Sequence, residues 1–435
     1  MFIVQILIKC NARSYGTTVA GVIHSTGAMT VTPANITVTD NNLFYNFTAA
    51  TVSGAGNLDL IIAADANALP NAVAPNNPGA TGVAQALQTI YNGGVPAGFQ
   101  PVFDALATMT PQALNSALIE LTPFLQGAGT QAGVSALHSM NKIIQSRVES
   151  VQGLNSGDET ADQYAWARVF GNWGDQDDHS GVTGFESQTQ GLAVGMDKPI
   201  NDRIRAGGLL TYANTDLKSN LGSSKVNVDT YEIAGYGSYN IDPQTDINVQ
   251  LDVGLNKANS TRSISFLGTT AIGDFDSFNW HLSGGIGHLF QLSDKTNLTP
   301  AMRIDYTHVK TDGYTEKGAG VLNQHVDSSS YEELLLTVDS KLSHKLTEDG
   351  LKFVANGSVG YDFINEQSQT TSTFTGGGPS YMTKGLDVSP WVYRGGLGLV
   401  KETGNGMEFS LRYDAEGRTS GYLNQTASVK VRWAF

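Results

Sequence analysis

The chain has a single cysteine, Cys10, so it holds neither a disulfide framework nor a cysteine-based metal motif. It is poor in charge: 15% of its residues are Asp, Glu, Lys or Arg, against about 25% in an ordinary globular protein. The basic sign is the scarcer, 26 residues against 40 acidic ones for a net charge of −14. Nothing here displaces counterions from a phosphate backbone, so a nucleic-acid partner is excluded. No run of 18 apolar residues occurs, and no transmembrane helix is expected. The apolar start, residues 1–8, has no basic residue before it and no small-residue cleavage site after it, which makes it a poor signal peptide. It reads as the stump of a longer protein or a misassigned start, with a buried first strand as the alternative. None of this excludes a membrane, because closed β-barrels also span lipid.

Glycine is in excess, 49 of 435 residues, roughly 11% where about 7% is usual. All five tryptophans (Trp166, Trp173, Trp280, Trp391, Trp433) follow residue 160, as do 22 of the 26 basic and 32 of the 40 acidic residues. Before that point, residues 17–62 form short β-branched stretches separated by Asn, Asp and Gly, which suit either the last rungs of a β-solenoid or a small β-domain. Residues 70–82, rich in Pro, Asn and Gly, read as a linker. From about 83 the period becomes helical, with Val83, Leu87 and Ile90 on one face, then Phe103, Leu106 and Met109, then Leu114, Leu118 and Leu121. Thr110 and Pro111 supply an N-cap and a first helical residue for the last of these. A longer amphipathic helix is expected over 131–151, with Val134, Leu137, Ile144, Val148 and Val151 on one face. At about 1.5 Å per residue it would reach about 30 Å, the thickness of a bilayer core.

Beyond residue 160 the period is two. Ile247, Val249, Leu251 and Val253 alternate with Asn248, Gln250 and Asp252; Met302, Ile304 and Tyr306 with Arg303, Asp305 and Thr307; Phe409, Leu411 and Tyr413 with Glu408, Ser410, Arg412 and Asp414. The last stretch sets Leu423, Ala427, Val429, Val431, Trp433 and Phe435 against Asn424, Thr426, Ser428, Lys430 and Arg432. A soluble sheet also alternates, but its strands average about five or six residues, whereas crossing lipid takes about 9 to 11 tilted ones. Tight turn signals fall at Asn201-Asp202, Asp242-Pro243, Ser293–Lys295, Glu348–Gly350 and Gly404–Gly406. Longer polar segments lie between them, near 175–184, 216–226, 257–275, 310–330, 365–387 and 415–421. Five tight turns interleaved with six longer loops require twelve strands, and short turns on one side with long loops on the other is the pattern of outer-membrane barrels. Tyr231, Trp280, Tyr306, Tyr361, Trp391, Tyr393, Tyr413 and Trp433 fall where a lipid-interface girdle needs them. The opposite face carries both signs (Arg303 with Asp305, Arg412 with Asp414, Lys430 with Arg432), as a wet lumen would.

At these residues the chain resembles the C-terminal translocator β-barrel of the autotransporters, the type V secretion proteins of Gram-negative bacteria. The likeness rests on 164–171 (YAWARVFG), 391–398 (WVYRGGLG), 407–414 (MEFSLRYD) and 429–435 (VKVRWAF). It extends upstream to the helical linker and the strand-rich 43–62, and it departs from the family over the first forty or so residues.

The resemblance implies a mainly β fold, a 12-stranded antiparallel transmembrane barrel preceded by a pore-threading helix, a small helical linker and a short β-solenoid-like remnant. The parts would be 1–69, the β-rich end of a passenger; 70–130, the linker; 131–160, the helix that plugs the pore; and 161–435, the barrel. It implies a monomer in the outer membrane that displays its N-terminal segment at the cell surface. Its partners would be lipid and lipopolysaccharide, its own passenger, and the barrel-assembly machinery. The last would read Val429, Val431, Trp433 and Phe435 by β-augmentation. No cofactor and no catalysis are implied, and no self-cleavage, since Asn41-Asn42 and Asn76-Asn77 lie outside the pore helix and Asn141 precedes Lys142.

Two other functions stay open at this point: a surface adhesin acting through 17–62 and the loops, and a barrel hydrolase. For a hydrolase the best local cluster is Asp177-Asp178-His179, which reads first as a solvated loop. His24, His138, His281, His288, His308, His325 and His344 form no recognisable catalytic or metal motif. A closed barrel resists detergent until heated, so the folded chain is expected to migrate faster unboiled than boiled on a gel; identical mobilities would count against a barrel.

Overall fold

The computed structural model describes residues 18–24, 36, 38, 42–53, 56–73, 77–123, 163–403 and 406–435. In chain order these form β1 (Thr18–His24), β2 (Tyr45–Ser53) and β3 (Asn57–Ala64), then α1 (Ala68–Ala72), α2 (Pro78–Asn92), α3 (Gln100–Leu106) and α4 (Pro111–Glu120). There follow β4 (Tyr164–Gln176), β5 (Phe185–Pro199), β6 (Ile204–Ser219), β7 (Ser224–Asn240), β8 (Thr245–Ile264), β9 (Thr269–His288), β10 (Phe290–Ser293), β11 (Thr296–Thr311), β12 (Tyr314–Thr315) and β13 (Gln324–Val326). The chain ends with β14 (Ser329–Lys345), β15 (Leu351–Asp362), β16 (Gln369–Phe374), β17 (Tyr381–Lys384), β18 (Trp391–Glu402), β19 (Met407–Arg418) and β20 (Tyr422–Ala434).

Length decides what the long strands are. β8 and β9 have 20 residues each and β15 has 12, all beyond the roughly 9 to 11 needed to cross lipid. Twelve of them, β4–β9, β11, β14, β15 and β18–β20, pair antiparallel in sequence order, and the ring closes where β20 returns to β4, from Ala434↔Tyr164 to Tyr422↔Gln176. Closure leaves no row of backbone N–H and C=O groups facing lipid, where each would cost several kcal/mol. The tight turns expected at Asn201-Asp202, Asp242-Pro243, Ser293–Lys295 and Glu348–Gly350 are found at one end of the barrel, and β10 only lengthens the turn between β9 and β11. β18 and β19 pair antiparallel on either side of the fifth, of which 404 and 405 lie outside the described residues.

The other end differs from the sequence expectation. Three connections are long: 177–184, 312–328 carrying β12 and β13, and 363–390 carrying β16 and β17. The segments 216–226, 257–275 and 415–421, expected as loops, are instead strands that run on and reverse within 220–223, 265–268 and 419–421. The physical reason is an inversion of the alternation. In the lower part of the wall Leu210, Ile233, Val249 and Leu282 point outward and are exposed, while Thr211, Glu232, Gln250 and His281 point inward and are buried. Past the girdle residues Tyr212 and Tyr231, the outward positions become Asn214, Asp216, Asn227, Asp229, Asn259 and Asp274, which bond one another across the strands. The inward positions there become Leu217, Val226, Ala258 and Phe275, which are buried together. The period of two continues while water replaces lipid outside.

The upstream region also departs from expectation. β1, β3 and β2 form an antiparallel sheet, with Leu58, Leu60 and Ile62 buried on β3. Antiparallel pairing makes it a small β-domain rather than stacked parallel rungs. The linker over 70–82 is partly helical: Asn77 caps α2, accepting from Ala80 N at 3.3 Å, with Pro78 in the first turn, so that helix begins five residues before its apolar period shows. Thr110 caps α4 in the same way. The helix expected over 131–151 lies outside the described residues.

Glycine has a definite use on β5. Gly195 and Gly191 face inward on either side of Ala193, and a Cβ on Gly195 would lie 2.6 Å from the ring of Trp166 and 2.8 Å from the Gly208 carbonyl oxygen. Trp166 is thereby laid flat against the wall, where its indole N–H donates to Tyr236 Oη at 3.0 Å. Gly195→Leu forces that ring off the wall, and the expected cost is about 3 kcal/mol by overpacking. It is read as a lower temperature at which the compact, fast-migrating form is lost on a gel.

Candidate functional site

The inward face of the ring carries a series of ion pairs. Near the tight-turn end, Glu408 accepts from Lys430 Nζ at 2.9 Å and Arg432 Nη2 at 2.8 Å, so these two cations share one carboxylate, and Arg432 also lies over the Tyr164 ring. Asp197 accepts from Arg205 at 2.7 Å and from Tyr236 Oη at 3.0 Å. Higher on the same face, Arg412 bonds Asp414 at 2.9 Å and Asn356 at 2.8 Å, and Arg394 bonds Glu416 at 2.7 Å. On β11, Arg303 bonds Asp305 at 2.9 Å and reaches along the wall to Gln250 and Ser283. His281 lies between Asp252 (2.7 Å) and Asp305 (3.0 Å). The spacing of two along each strand puts these groups on one face, and the register brings unlike charges together. A wall so compensated is wetted without holding a fixed net charge against a chain lying within it.

The far end of the lumen is different in kind. The long connections fold over it, and β12, β13, β16 and β17 form a four-stranded sheet. Phe374 and Tyr381 of that sheet, with Ile264, Ala271 and Leu322, share one buried cluster with Val83, Leu87, Phe103, Leu114 and Leu118 of the helices and with Phe99 just before α3. Burial, and then the nearby Glu316 carboxylate, push the Tyr314 phenol up; burial likewise pushes up that of Tyr381. At the centre, Arg262 is 2% exposed and forks onto Glu316, with Nε–Oε1 at 3.0 Å and Nη2–Oε2 at 2.5 Å. Its remaining donors reach the carbonyls of Glu120 and Leu322, each at 3.0 Å. Gln324 Nε2 donates to the Leu121 carbonyl at 2.6 Å, and Glu120 Oε2 accepts from Ser265 N at 2.8 Å.

Of the residues singled out from the sequence, Arg303, Asp305, Arg412, Asp414, Lys430 and Arg432 lie on the inward face in the pairs given above. Val429, Val431 and Trp433 lie on the outward face of β20, and Phe435 donates its N–H to the Gln163 carbonyl at 2.9 Å. Val134, Leu137, Ile144, Val148, Val151, His138 and Asn141 lie outside the described residues. Asp178 is occupied in shaping its loop, accepting from Gly184 N at 2.7 Å and Asn220 Nδ2 at 3.0 Å. His308 stands on β11 beside Trp280. Among the described residues no group of three or more His, Cys, Asp or Glu is placed to hold a metal ion. The sequence reading missed Arg262, Glu316 and Gln324. Extending the alternation of β8 past Leu255 would have placed Arg262 on the inward, even-numbered face.

Arg418 and Glu333 are bonded at 2.6 Å and are nearly inaccessible. Arg418→Ala withdraws the partner from a buried carboxylate and is expected to cost about 3–5 kcal/mol, measured by urea unfolding in micelles. Arg418→Ala with Glu333→Ala should recover part of that loss.

The family model described as Autotransporter beta-domain matches residues 165–414. Outer membrane protein A of Rickettsia rickettsii is 25% identical over 92% of this chain and 19% of its own length. Outer membrane protein B of Rickettsia japonica is 22% identical over 92% of this chain and 26% of its own. The chain thus spans about a fifth to a quarter of the curated relatives it matches. Among solved structures, the translocator domain of the autotransporter NalP from Neisseria meningitidis shares the fold, with a TM-score of 0.58 and 19% identity over 72% of this chain and 100% of that one.

Proposed function

The chain belongs to the autotransporter β-domain family, and from that premise we propose that it is an outer-membrane translocator whose barrel carries the segment before it to the cell surface. One observation supports the route. Leu121 is held at the long-connection end of the barrel by Gln324, while Tyr164 opens β4 at the opposite end, paired with Ala434. Residues 124–162 join these two ends. Outside the wall lies hydrocarbon, in which Ser, Asn, Gln and Lys side chains are costly, so the path we assign them runs through the charged lumen. The helical period of 131–151, with Val134, Leu137, Ile144, Val148 and Val151 on one face, would span about 30 Å, about one bilayer core.

Lipid meets the outward aliphatic faces, lipopolysaccharide the polar outer faces of the projecting hairpins. We assign recognition by the assembly machinery to β20, whose amphipathic backbone can be augmented by a receptor strand while Val429, Val431, Trp433 and Phe435 fill alternate pockets. We read the barrel as a monomeric conduit rather than a catalyst: Asp197, Glu333, Glu408 and Glu416 are engaged with Arg or Lys of the wall, Asp252 and Asp305 with His281, and Asp178 with its own loop.

An antibody against residues 43–62 is expected to label intact cells expressing the full chain, and labelling only after permeabilisation would overturn export. Trp433→Ala with Phe435→Ala is expected to lower the amount of heat-modifiable barrel in the outer membrane and the surface signal together.

A further inference from the structure

Resting on the export reading, we propose that α1–α4 are a lid that closes the outer mouth once it has passed through, and that Arg262, with Glu316 and Gln324, is the latch that stops the chain from sliding back. The lid cannot travel folded. One helix with its side chains is about 10–12 Å across, and in a twelve-stranded ring the wall's own side chains take up part of the interior. Four helices sharing the core of Leu69, Leu87, Phe99, Phe103, Leu106 and Leu118 therefore assemble only beyond the mouth.

What they assemble against is already shaped for them. α2 lies along β17 so closely that a Cβ on Gly82 would run into the Met382 carbonyl oxygen, and Phe99 meets Phe374 edge-on at 6.2 Å. On the other side, Ala80, Ile119 and Thr122 face Val182 of the β4–β5 connection, Ser219 at the end of β6 and Ser223 of the β6–β7 connection across a cavity of about 40 Å³, room for a water or two. The lid therefore reaches from one rim of the barrel to the other.

The latch grips α4 where a helix needs a partner most. The last carbonyls of a helix have no internal donor and carry the negative end of its dipole. α4 has no basic residue in its last turn, and no Lys or Arg occurs anywhere between Arg13 and Lys142. The cation is supplied by the barrel: Arg262 takes the Glu120 carbonyl and Gln324 the next one, Leu121. Glu316 holds the guanidinium in place and also accepts from Gln324 N at 2.8 Å. Pulling the chain inward must break these bonds and expose the shared apolar cluster.

The full chain is folded in detergent micelles and its amide exchange followed by mass spectrometry, comparing wild type with R262Q, E316Q and Gly82→Leu. Hydrogen bonds to a charged group are worth enough that exchange across 78–121 is expected to rise about tenfold or more in each variant. β4–β7 and the gel shift on heating should stay as in wild type, and R262K, which cannot fork, should fall between. Gly82→Leu touches no barrel strand, so it tests the lid even if the Arg262 variants assemble poorly. Unchanged exchange across 78–121 in R262Q and Gly82→Leu overturns the latch. Surface labelling of wild-type cells is scored in parallel: its absence defeats export itself, whereas its presence with unchanged exchange defeats only the latch.

Discussion

The structure depends on one constraint: within hydrocarbon a backbone N–H or C=O has no water to turn to. The pairing of β20 with β4, thirteen residue pairs from Tyr422↔Gln176 to Ala434↔Tyr164, removes the two edges that an open sheet would present. The other properties of the wall follow from it. Strands must be long enough to carry the ring across lipid, and one face of each must be apolar. Glycines sit where an inward aromatic ring lies across the backbone, as Trp166 does on Gly195.

The same wall serves three solvents in turn. Around its middle, Leu251 meets lipid while Gln250 and Asp252 line the lumen. Above the girdle, Asn259 and Asp274 meet water while Ala258 and Phe275 face a dry interior. The lumen is polar where charges are exchanged between strands and apolar where the loops and helices close it. The Arg262–Glu316 pair lies within the apolar part, among Ile264, Ala271 and Leu322, which explains both its burial and the number of bonds it makes.

Much of this was legible because lipid and water impose opposite demands on adjacent residues. Ile247 to Leu255, or Met407 to Asp414, need no neighbour to reveal a strand, and Asn201-Asp202 or Gly404–Gly406 mark turns through their own backbone preferences. Thr110-Pro111 announced α4 by the same local chemistry. What stayed hidden depends on partners distant in sequence. Residues 257–275 look polar on both faces until the inner face is seen to pack under the loops. Asn77 and Pro78 begin a helix inside a stretch whose composition says linker. The strands of residues 18–64 have the composition of solenoid rungs and the pairing of a hairpin. Arg262 meets Glu316 and Glu120 only once the barrel has closed and the helices have come to rest on it.

The absence of Lys and Arg between Arg13 and Lys142 has a consequence outside the membrane. Trypsin-like proteases cut only after a basic side chain. Across β1–β3 and the whole helical module such an enzyme, working from the medium, finds no scissile bond, however long it acts or however often the helices open. Cleavage within this stretch falls instead to enzymes that read apolar or small residues, so digestion there reports which kind of protease the surroundings contain.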